Sequence, residues 1–340
     1  MANPAVSSAK RATMDSVETA GIGTAGTATR AVAHTAAAPL ARIREFVHTQ
    51  VDRALENGEI EVLIGALLAA TRRRAPSEIE PIKAYIFQQI LQRAEDPNDR
   101  RTLWPWTRLC AARPETQARE MACALLDSFW RDHRKEVERL TLNLARDEDE
   151  GVRQYAAATM SRIIRANFRL RFRHLLLWSR NRDPSVRRQV IIATVGVADP
   201  AYPERAKPLL DMLEPHLTDR DPYVRRNLGP FALGQGLLRA YPEATLVRFR
   251  QWMRSDDEIL LWNIGIALAA AHDLEQWEAA LEVLRGLAAD PRRFVWGAAS
   301  AALANLAIRR PDQIKPVLRR WMRDPKLRVA VSSALRGIPS

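Results

Sequence analysis

A short motif recurs along this chain at nearly constant spacing, and this repetition restricts the fold more than any other feature. DPSVRR at residues 183–188 returns as DPYVRR at residues 221–226. Looser copies begin at residues 149, 256, 290 and 324, and related Pro-containing turns lie at 113–115 and 75–77. The anchors are 34 to 38 residues apart. Such a period is typical of chains that stack one structural unit many times.

Each period contains two helical stretches that flank the anchor. Residues 205–217 and 314–322 precede anchors, and residues 186–195 and 294–308 follow them. Asp at the anchor suits the N-cap of the following helix, and Pro suits its first turn. The period and the Asp-Pro-x-Val-Arg turn resemble HEAT repeats over about residues 75–338. The predicted fold class is therefore all-α, an α-solenoid of HEAT-like helical hairpins.

The chain divides into two parts by composition. Residues 1–39 consist largely of Ala, Thr, Ser, Gly and Val without an aromatic residue, and we expect a flexible low-complexity tail there. Residues 40–340 form the predicted solenoid, with order beginning near Ala41.

The charge of the chain is carried almost entirely by arginine. Lys and Arg total 52 against 40 Asp and Glu, a net charge of +12, and only six of the 52 are lysines. The excess suits a protein that binds a polyanion. Codon usage in a GC-rich genome is the alternative explanation.

The arginines that follow the anchors fall in the first turn of each second helix. Equivalent positions of successive repeats align along a solenoid, so they are predicted to form a cationic strip suited to regularly spaced phosphates. The alternative is that the first arginine of each pair binds the anchor Asp of its own or a neighbouring repeat. The second arginine is then the freer one. The candidates are Arg153, Arg187, Arg188, Arg225 and Arg226.

Residues 162–188 contain nine arginines and a single acid, Asp183. Arg162 and Arg165 from this run join the candidate DNA-binding residues. Phe168, Phe172 and Trp178 lie among the arginines, a combination suited to phosphate contacts and base stacking. The i, i+4 spacing of the two phenylalanines favours a core role for them. Trp178 is left open between core and surface.

Motifs for other chemistry are missing from the sequence. Two cysteines cannot build a disulfide framework or a four-thiolate site, six scattered histidines give no ligand pair, and no Gly-rich phosphate loop occurs. No metal and no cofactor are expected, nor is a membrane span. We expect buried structural cysteines and a cytoplasmic location. Trp104-Pro105-Trp106 is predicted to mark an inter-helix turn.

Residues 149 to 252 resemble a family of enzymes built on this architecture. The likeness lies in Leu177-Trp178, the two DP-x-VRR anchors, the NL that follows the second anchor, YPE at 241–243, and Trp252. It is similar to the HEAT-like-repeat DNA alkylation repair proteins, the AlkC/AlkD group of alkylpurine DNA glycosylases. The resemblance implies a concave basic face that holds duplex DNA, and excision of cationic alkylated purines without deep base flipping.

The resemblance also implies site residues. A carboxylate near the start of the helix that opens at Val152 nominates Asp149, with Glu150 as second choice, and Trp178 matches a family Trp by its place before the turn. Capping is the alternative role for both acids. A second family Trp is replaced by Gly229-Pro230-Phe231. The alternative function is a non-catalytic scaffold that binds an acidic protein partner.

Overall fold

The computed structural model describes residue 45 and residues 49–71, 76–270 and 275–338, and these residues form helices without any strand. The predicted all-α fold is therefore confirmed. The predicted tail at residues 1–39 lies outside the described residues. Eight helix pairs follow one another in the described part of the chain, one pair for each anchor in the sequence.

Each pair has a first helix before the anchor and a second helix after it. The first helices are α1 (Ile60–Thr71), α3 (Pro97–Ala111), α5 (Trp130–Leu144), α7 (Phe168–Ser179), α9 (Ala206–Leu213), α11 (Pro242–Trp252), α13 (Trp277–Ala288) and α15 (Pro311–Trp321). The second helices are α2 (Pro76–Arg93), α4 (Thr116–Leu126), α6 (Glu150–Ala166), α8 (Pro184–Val197), α10 (Pro222–Arg225), α12 (Glu258–Ala270), α14 (Arg293–Arg309) and α16 (Arg328–Arg336).

One feature of the second-helix layer departs from regular α-helix. The helix after α10 widens into a π-helix over Leu228–Leu238, in which the amide of Ala232 donates to the carbonyl of Asn227 at 2.9 Å. Pro230 lies inside this stretch and offers no amide hydrogen. The wider turns of the π-helix let the helix continue without the hydrogen bond that an amide at position 230 would donate.

Glycines allow the second helices of consecutive repeats to approach closely. A Cβ atom on Gly234 would lie 2.6 Å from the carbonyl oxygen of Ala267, and one on Gly265 would lie 2.7 Å from the Cβ of Ala298. First helices of consecutive repeats touch one another much less. The contacts between consecutive repeats are therefore made mainly by their second helices.

Short 3₁₀ segments interrupt the first-helix layer. Residues 205–217 are predicted to form one helix, but α9 is flanked by 3₁₀ turns at Pro203–Arg205 and Glu214–His216. Pro203 opens the first 3₁₀ turn, and Pro215 is the second residue of the other. Other helices match their predicted spans to within about three residues, as expected for element ends.

The prediction of a turn at Trp104-Pro105-Trp106 is wrong. Pro105 lies inside α3, on its exposed side, where the carbonyl that loses its amide partner faces water. Trp106 is buried, and the Trp104 ring stacks on His133 with centroids 4.2 Å apart. A proline within a helix is tolerated here because both flanking tryptophans are held by packing.

Candidate nucleic-acid interface

Three of the anchor aspartates cap the second helices that follow them. The Oδ1 atom of Asp183 accepts from the amide of Ser185 at 2.8 Å, and Asp149 accepts in the same way from the amide of Val152 at 3.2 Å. Asp221 repeats the arrangement in the following turn. The carboxylate of Asp149 therefore satisfies a free amide at the start of α6, which confirms capping as a role for this residue.

The first arginine after three of the anchors folds back onto its own turn. The Nη1 atom of Arg187 donates to the carbonyls of Asn181 and Arg182 at 3.0 and 2.9 Å. Arg153 and Arg225 donate in the same way to the carbonyls six and five residues before them, at 2.6 to 2.8 Å. These bonds satisfy carbonyls of the turn itself, beyond the end of the first helix. At these three anchors the arginine is therefore a structural clamp of the turn.

Arg187 also joins its repeat to the next one. Its Nε and Nη2 atoms donate to both carboxylate oxygens of Asp219, at 2.8 and 3.1 Å. Burial raises the pKa of Asp219, but the hydrogen bonds from Arg187 and from the Asp221 amide, together with the charge of Arg187, outweigh this effect and leave the pKa below its usual value. The alternative drawn from the sequence pairs the first arginine with an anchor Asp. Arg187 does bind a carboxylate of the neighbouring repeat, but that carboxylate is Asp219, two residues before the anchor Asp221.

The prediction that the second arginine is the freer one is wrong for Arg188. Its side chain is buried, and it donates to Glu150 Oε1 and to Asn227 Oδ1, both at 3.0 Å. Its guanidinium lies 4.6 Å from the centroid of the Tyr223 ring. Partners from the preceding and the following repeat therefore hold it.

Arg226 is exposed, and no side-chain partner for it exists in the described part of the chain. The residue equivalent to Glu150 in the preceding repeat of Arg226 is Pro184, which has no acceptor on its side chain. This difference explains why two arginines at the same motif position have opposite environments.

Three of the predicted residues, Glu150, Arg153 and Arg188, come together with Tyr223 near the starts of α6, α8 and α10. The Glu150 side chain is 57% exposed and is held by Arg188. Arg153 lies 5.9 Å from the Tyr223 ring, on which Arg188 also stacks. The cluster presents an anchored carboxylate beside an aromatic ring, an arrangement that stabilises a nearby positive charge.

Trp178 does not belong to this cluster. It is 2% exposed, its Nε1 atom donates to Glu138 Oε1 at 2.7 Å, and its ring packs edge-on against Trp130 at 6.2 Å. The indole therefore lies in the core between α5 and α7, where it cannot stack on a bound nucleotide. Of the two roles left open by the sequence, this is the core role.

The run of arginines at 162–188 splits into held and unpaired residues. Arg162 donates to Asp127 Oδ1 at 2.8 Å, and Arg171 donates to the carbonyl of Ile163 at 3.0 Å. Burial lowers the pKa of Arg171. Together with Arg187 and Arg188, four of the nine are held. The other five are exposed and lack a side-chain partner among the described residues: Arg165, Arg169, Arg173, Arg180 and Arg182.

Unpaired arginines recur in three consecutive inter-helix turns. Arg182, Arg220 and Arg254 are exposed, and no described residue binds their side chains. We refer to these three as the turn-edge arginines. Helices of neighbouring repeats lie about 8–10 Å apart, so Arg182 and Arg220, which each stand directly before an anchor Asp, follow one another at about that interval. Arg254 lies two residues before its anchor Asp256. The signal in the sequence is the Arg of Arg-Asp-Pro, which occurs at residues 182, 220 and 323.

Most acids of the same turns are already engaged. Asp183 accepts from Arg146 at 3.0 Å in addition to its cap, and Asp219 is bound by Arg187. Asp256, two residues after Arg254, is exposed and has no side-chain partner among the described residues. Arg182 and Arg220 are therefore the cations left over when the structural pairs of their turns are made.

Other kinds of site are not evident in the described residues. They contain no group of three or more His, Cys, Asp or Glu residues placed to hold a metal ion. No described helix is long and apolar enough to cross a membrane. Cys110 and Cys123 are both fully buried and unpaired as predicted, and burial raises the pKa of the Cys110 thiol to about 12.

Comparisons with known proteins give no family for the chain: no family model matches it, and no curated protein matches it. Its structure is similar to that of smu.31 from Streptococcus mutans UA159, with a TM-score of 0.42 and 15% identity over 66% of this chain and 97% of that one. Importin beta is similar with a TM-score of 0.39 and 16% identity, over 84% of this chain and 41% of that one.

A designed armadillo repeat protein is similar over 69% of this chain and 99% of its own, with a TM-score of 0.24 and 17% identity. The similarity to these structures is too low to carry an argument about this chain. Its HEAT-like α-solenoid fold is shown by its own consecutive helix pairs.

Proposed function

We propose that this solenoid binds duplex DNA through its phosphate backbone, and that the turn-edge arginines make the principal contacts. One observation carries the proposal: Arg182, Arg220 and Arg254 are exposed and unpaired in three consecutive turns. Repeated cations at a regular interval match a ligand with repeated anions, and guanidinium groups bind phosphates by paired hydrogen bonds. Arg226, in the same region, adds a fourth unpaired cation.

This proposal differs from the one drawn from the sequence in the residues that contact DNA. The clamp arginines Arg153, Arg187 and Arg225 are occupied by backbone carbonyls, and Arg188 is buried between two repeats. Recruiting them to DNA would break bonds within the fold. The unpaired arginines require no such rearrangement, so they bind phosphate at a lower cost.

The experiment is a measurement of affinity for a fluorescent duplex of about 20 base pairs as a function of salt, starting near 50 mM. Each phosphate contact contributes about −0.9 to the slope of log K against log salt concentration. The triple variant R182Q/R220Q/R254Q is expected to flatten the slope by about three and to weaken binding at low salt.

A matched control removes the same charge elsewhere. Arg285, Arg319 and Arg320 are exposed and lack side-chain partners among the described residues, and they lie on α13 and α15, away from the turn-edge arginines. R285Q/R319Q/R320Q is expected to keep the wild-type slope to within about one contact. Equal slopes for both triple variants would refute the proposed interface, and no binding by the wild type near 50 mM salt would refute the function.

Base excision is a second candidate, favoured by one observation. The carboxylate of Glu150 is more than half exposed and is fixed by Arg188 beside Tyr223, so it could stabilise positive charge that develops on a sugar. Release of 3-methyladenine or 7-methylguanine from alkylated DNA would then fall at least a hundredfold in Glu150→Gln. Release that is absent in the wild type, or unchanged in the variant, would remove this candidate.

A further inference from the structure

The outer face of α7 carries the most exposed large apolar side chains of the described residues. Leu170 and Leu177 are 65% and 63% exposed. They lie seven residues apart, which places them on one face of the helix and about 10 Å apart along its axis. A soluble surface does not ordinarily align two such leucines without covering them.

Three unpaired arginines lie beside these leucines. Arg169, Arg173 and Arg180 are exposed, and none has a side-chain partner among the described residues. Residues 165–182 contain no Asp or Glu, so nothing on this helix neutralises them. We refer to Arg169, Leu170, Arg173, Leu177 and Arg180 as the α7 face.

The start of α5 extends this positive surface. Helices α5 and α7 pack through Trp130, whose ring contacts His174 and Trp178. Arg131, Arg134 and Lys135 line an open cavity of about 600 Å³ next to Arg171 of α7.

The acids of that cavity are neutralised from outside it. Asp132 is bound by Arg100, and Glu136 is bound by Arg108 at 2.8 Å. Arg131, Arg134 and Lys135 are therefore not paired with the carboxylates of the cavity, and the start of α5 adds positive charge next to α7.

We propose that the α7 face, together with the start of α5, docks an acidic amphipathic helix of a partner protein. Two leucines at a spacing of seven match the apolar stripe of a second helix, and the arginines along one edge of the leucines match carboxylates along one edge of that stripe. Duplex DNA presents phosphates but little that would cover two leucines, and this disfavours it as the occupant of this face. Arg180 lies only two residues before the turn-edge arginine Arg182, so the variants that test the α7 face change Arg169, Arg173 and the two leucines and leave Arg180 in place.

The test uses a synthetic helical peptide of about 20 residues with leucines along one stripe and glutamates beside it, a length that permits a stable helix. Its binding to the full chain is measured by fluorescence anisotropy. A scrambled peptide of the same composition, polyglutamate of the same charge, vesicles of phosphatidylglycerol and a DNA duplex are the comparison ligands. The amphipathic peptide is expected to bind at least tenfold more tightly than the scrambled peptide and polyglutamate.

Variants assign the binding to the face. L170S/L177S and R169Q/R173Q are each expected to lower the affinity for the amphipathic peptide by roughly tenfold or more. The matched control V247S/V329S removes two other exposed apolar side chains, which are 50% and 58% exposed, and is expected to leave binding unchanged. R169E/R173E is expected to lose the acidic peptide and gain one in which lysines replace the glutamates.

Several outcomes would overturn the proposal. Equal binding of the scrambled peptide or polyglutamate would show a charge effect without a docked helix. Binding of vesicles that L170S/L177S abolishes, without peptide binding, would assign the face to lipid. Loss of DNA binding in R169Q/R173Q, again without peptide binding, would assign it to nucleic acid. R182Q/R220Q/R254Q is expected to bind the peptide normally, which separates this inference from the proposed function.

Discussion

Arg187→Ala should destabilise the solenoid strongly and leave DNA binding almost unchanged. The side chains of Arg187 and Asp219 are 17% and 9% exposed, and two hydrogen bonds join them. Removing one member of a buried ion pair costs about 3–5 kcal/mol because the other charge stays buried without a partner. The two carbonyls that Arg187 binds are also released, but these can be hydrated in the turn. We therefore expect a loss of about 3 kcal/mol.

The assay is urea unfolding followed by circular dichroism, alongside the salt dependence of DNA binding. Arg182→Ala is the matched control because Arg182 lies in the same turn but is exposed and unpaired. It should change stability by less than about 0.5 kcal/mol and should flatten the salt slope by about one contact.

A double variant separates the ion pair from other effects. Arg187→Ala combined with Asp219→Ala removes both charges, so it should be less destabilised than the sum of the single variants. A loss below about 1 kcal/mol in Arg187→Ala, or a flattened salt slope in that variant, would refute the assignment of Arg187 to the fold.

Three further predictions concern stability and reactivity. Burial lowers the pKa of His216, so the folded state favours the neutral imidazole, and this contribution to stability is complete above the unfolded pKa of about 6.5 and falls as the pH is lowered. The urea midpoint should therefore be lower near pH 5 than near pH 7, and an unchanged midpoint would contradict this. Cys110 and Cys123 should resist a thiol reagent until the chain unfolds, whereas fast labelling of the native protein would contradict their burial. Gly234→Ala should cost about 1–3 kcal/mol in unfolding experiments because its Cβ would lie 2.6 Å from a backbone oxygen, whereas Gly297→Ala, with nothing within 4 Å, should cost nothing.

The architecture could be predicted because its signals are local. Asp183 and Asp221 cap their helices through contacts two residues away, and a few consecutive residues are enough to indicate such a contact. Eight anchors at one period then imply stacking. The widened helix over Leu228–Leu238 could not be predicted in the same way, because it depends on how the backbone adapts around Pro230.

The site could be predicted only in part because its contacts join different repeats. Arg188 and Arg226 occupy the same motif position, yet Arg188 is held by Glu150 and Asn227, which lie 38 and 39 residues from it. Single residues in neighbouring repeats decide whether such an arginine has a partner. For Arg226, the position equivalent to Glu150 is occupied by Pro184, whose side chain has no acceptor. The sequence leaves the role of Trp178 undecided for the same reason, because the residue that binds its indole, Glu138, lies on another helix.

The central claim is that the arginines divide into those that hold the fold and those left over for a polyanion. The most direct measurement is modification of the full chain by phenylglyoxal, with and without duplex DNA, read by mass spectrometry for each arginine. Arg182, Arg220 and Arg254 should react in the free protein and be protected by DNA, while Arg187 and Arg188 should react slowly in both states. Protection of Arg187 or Arg188 alone, with the turn-edge arginines equally reactive in both states, would contradict the claim.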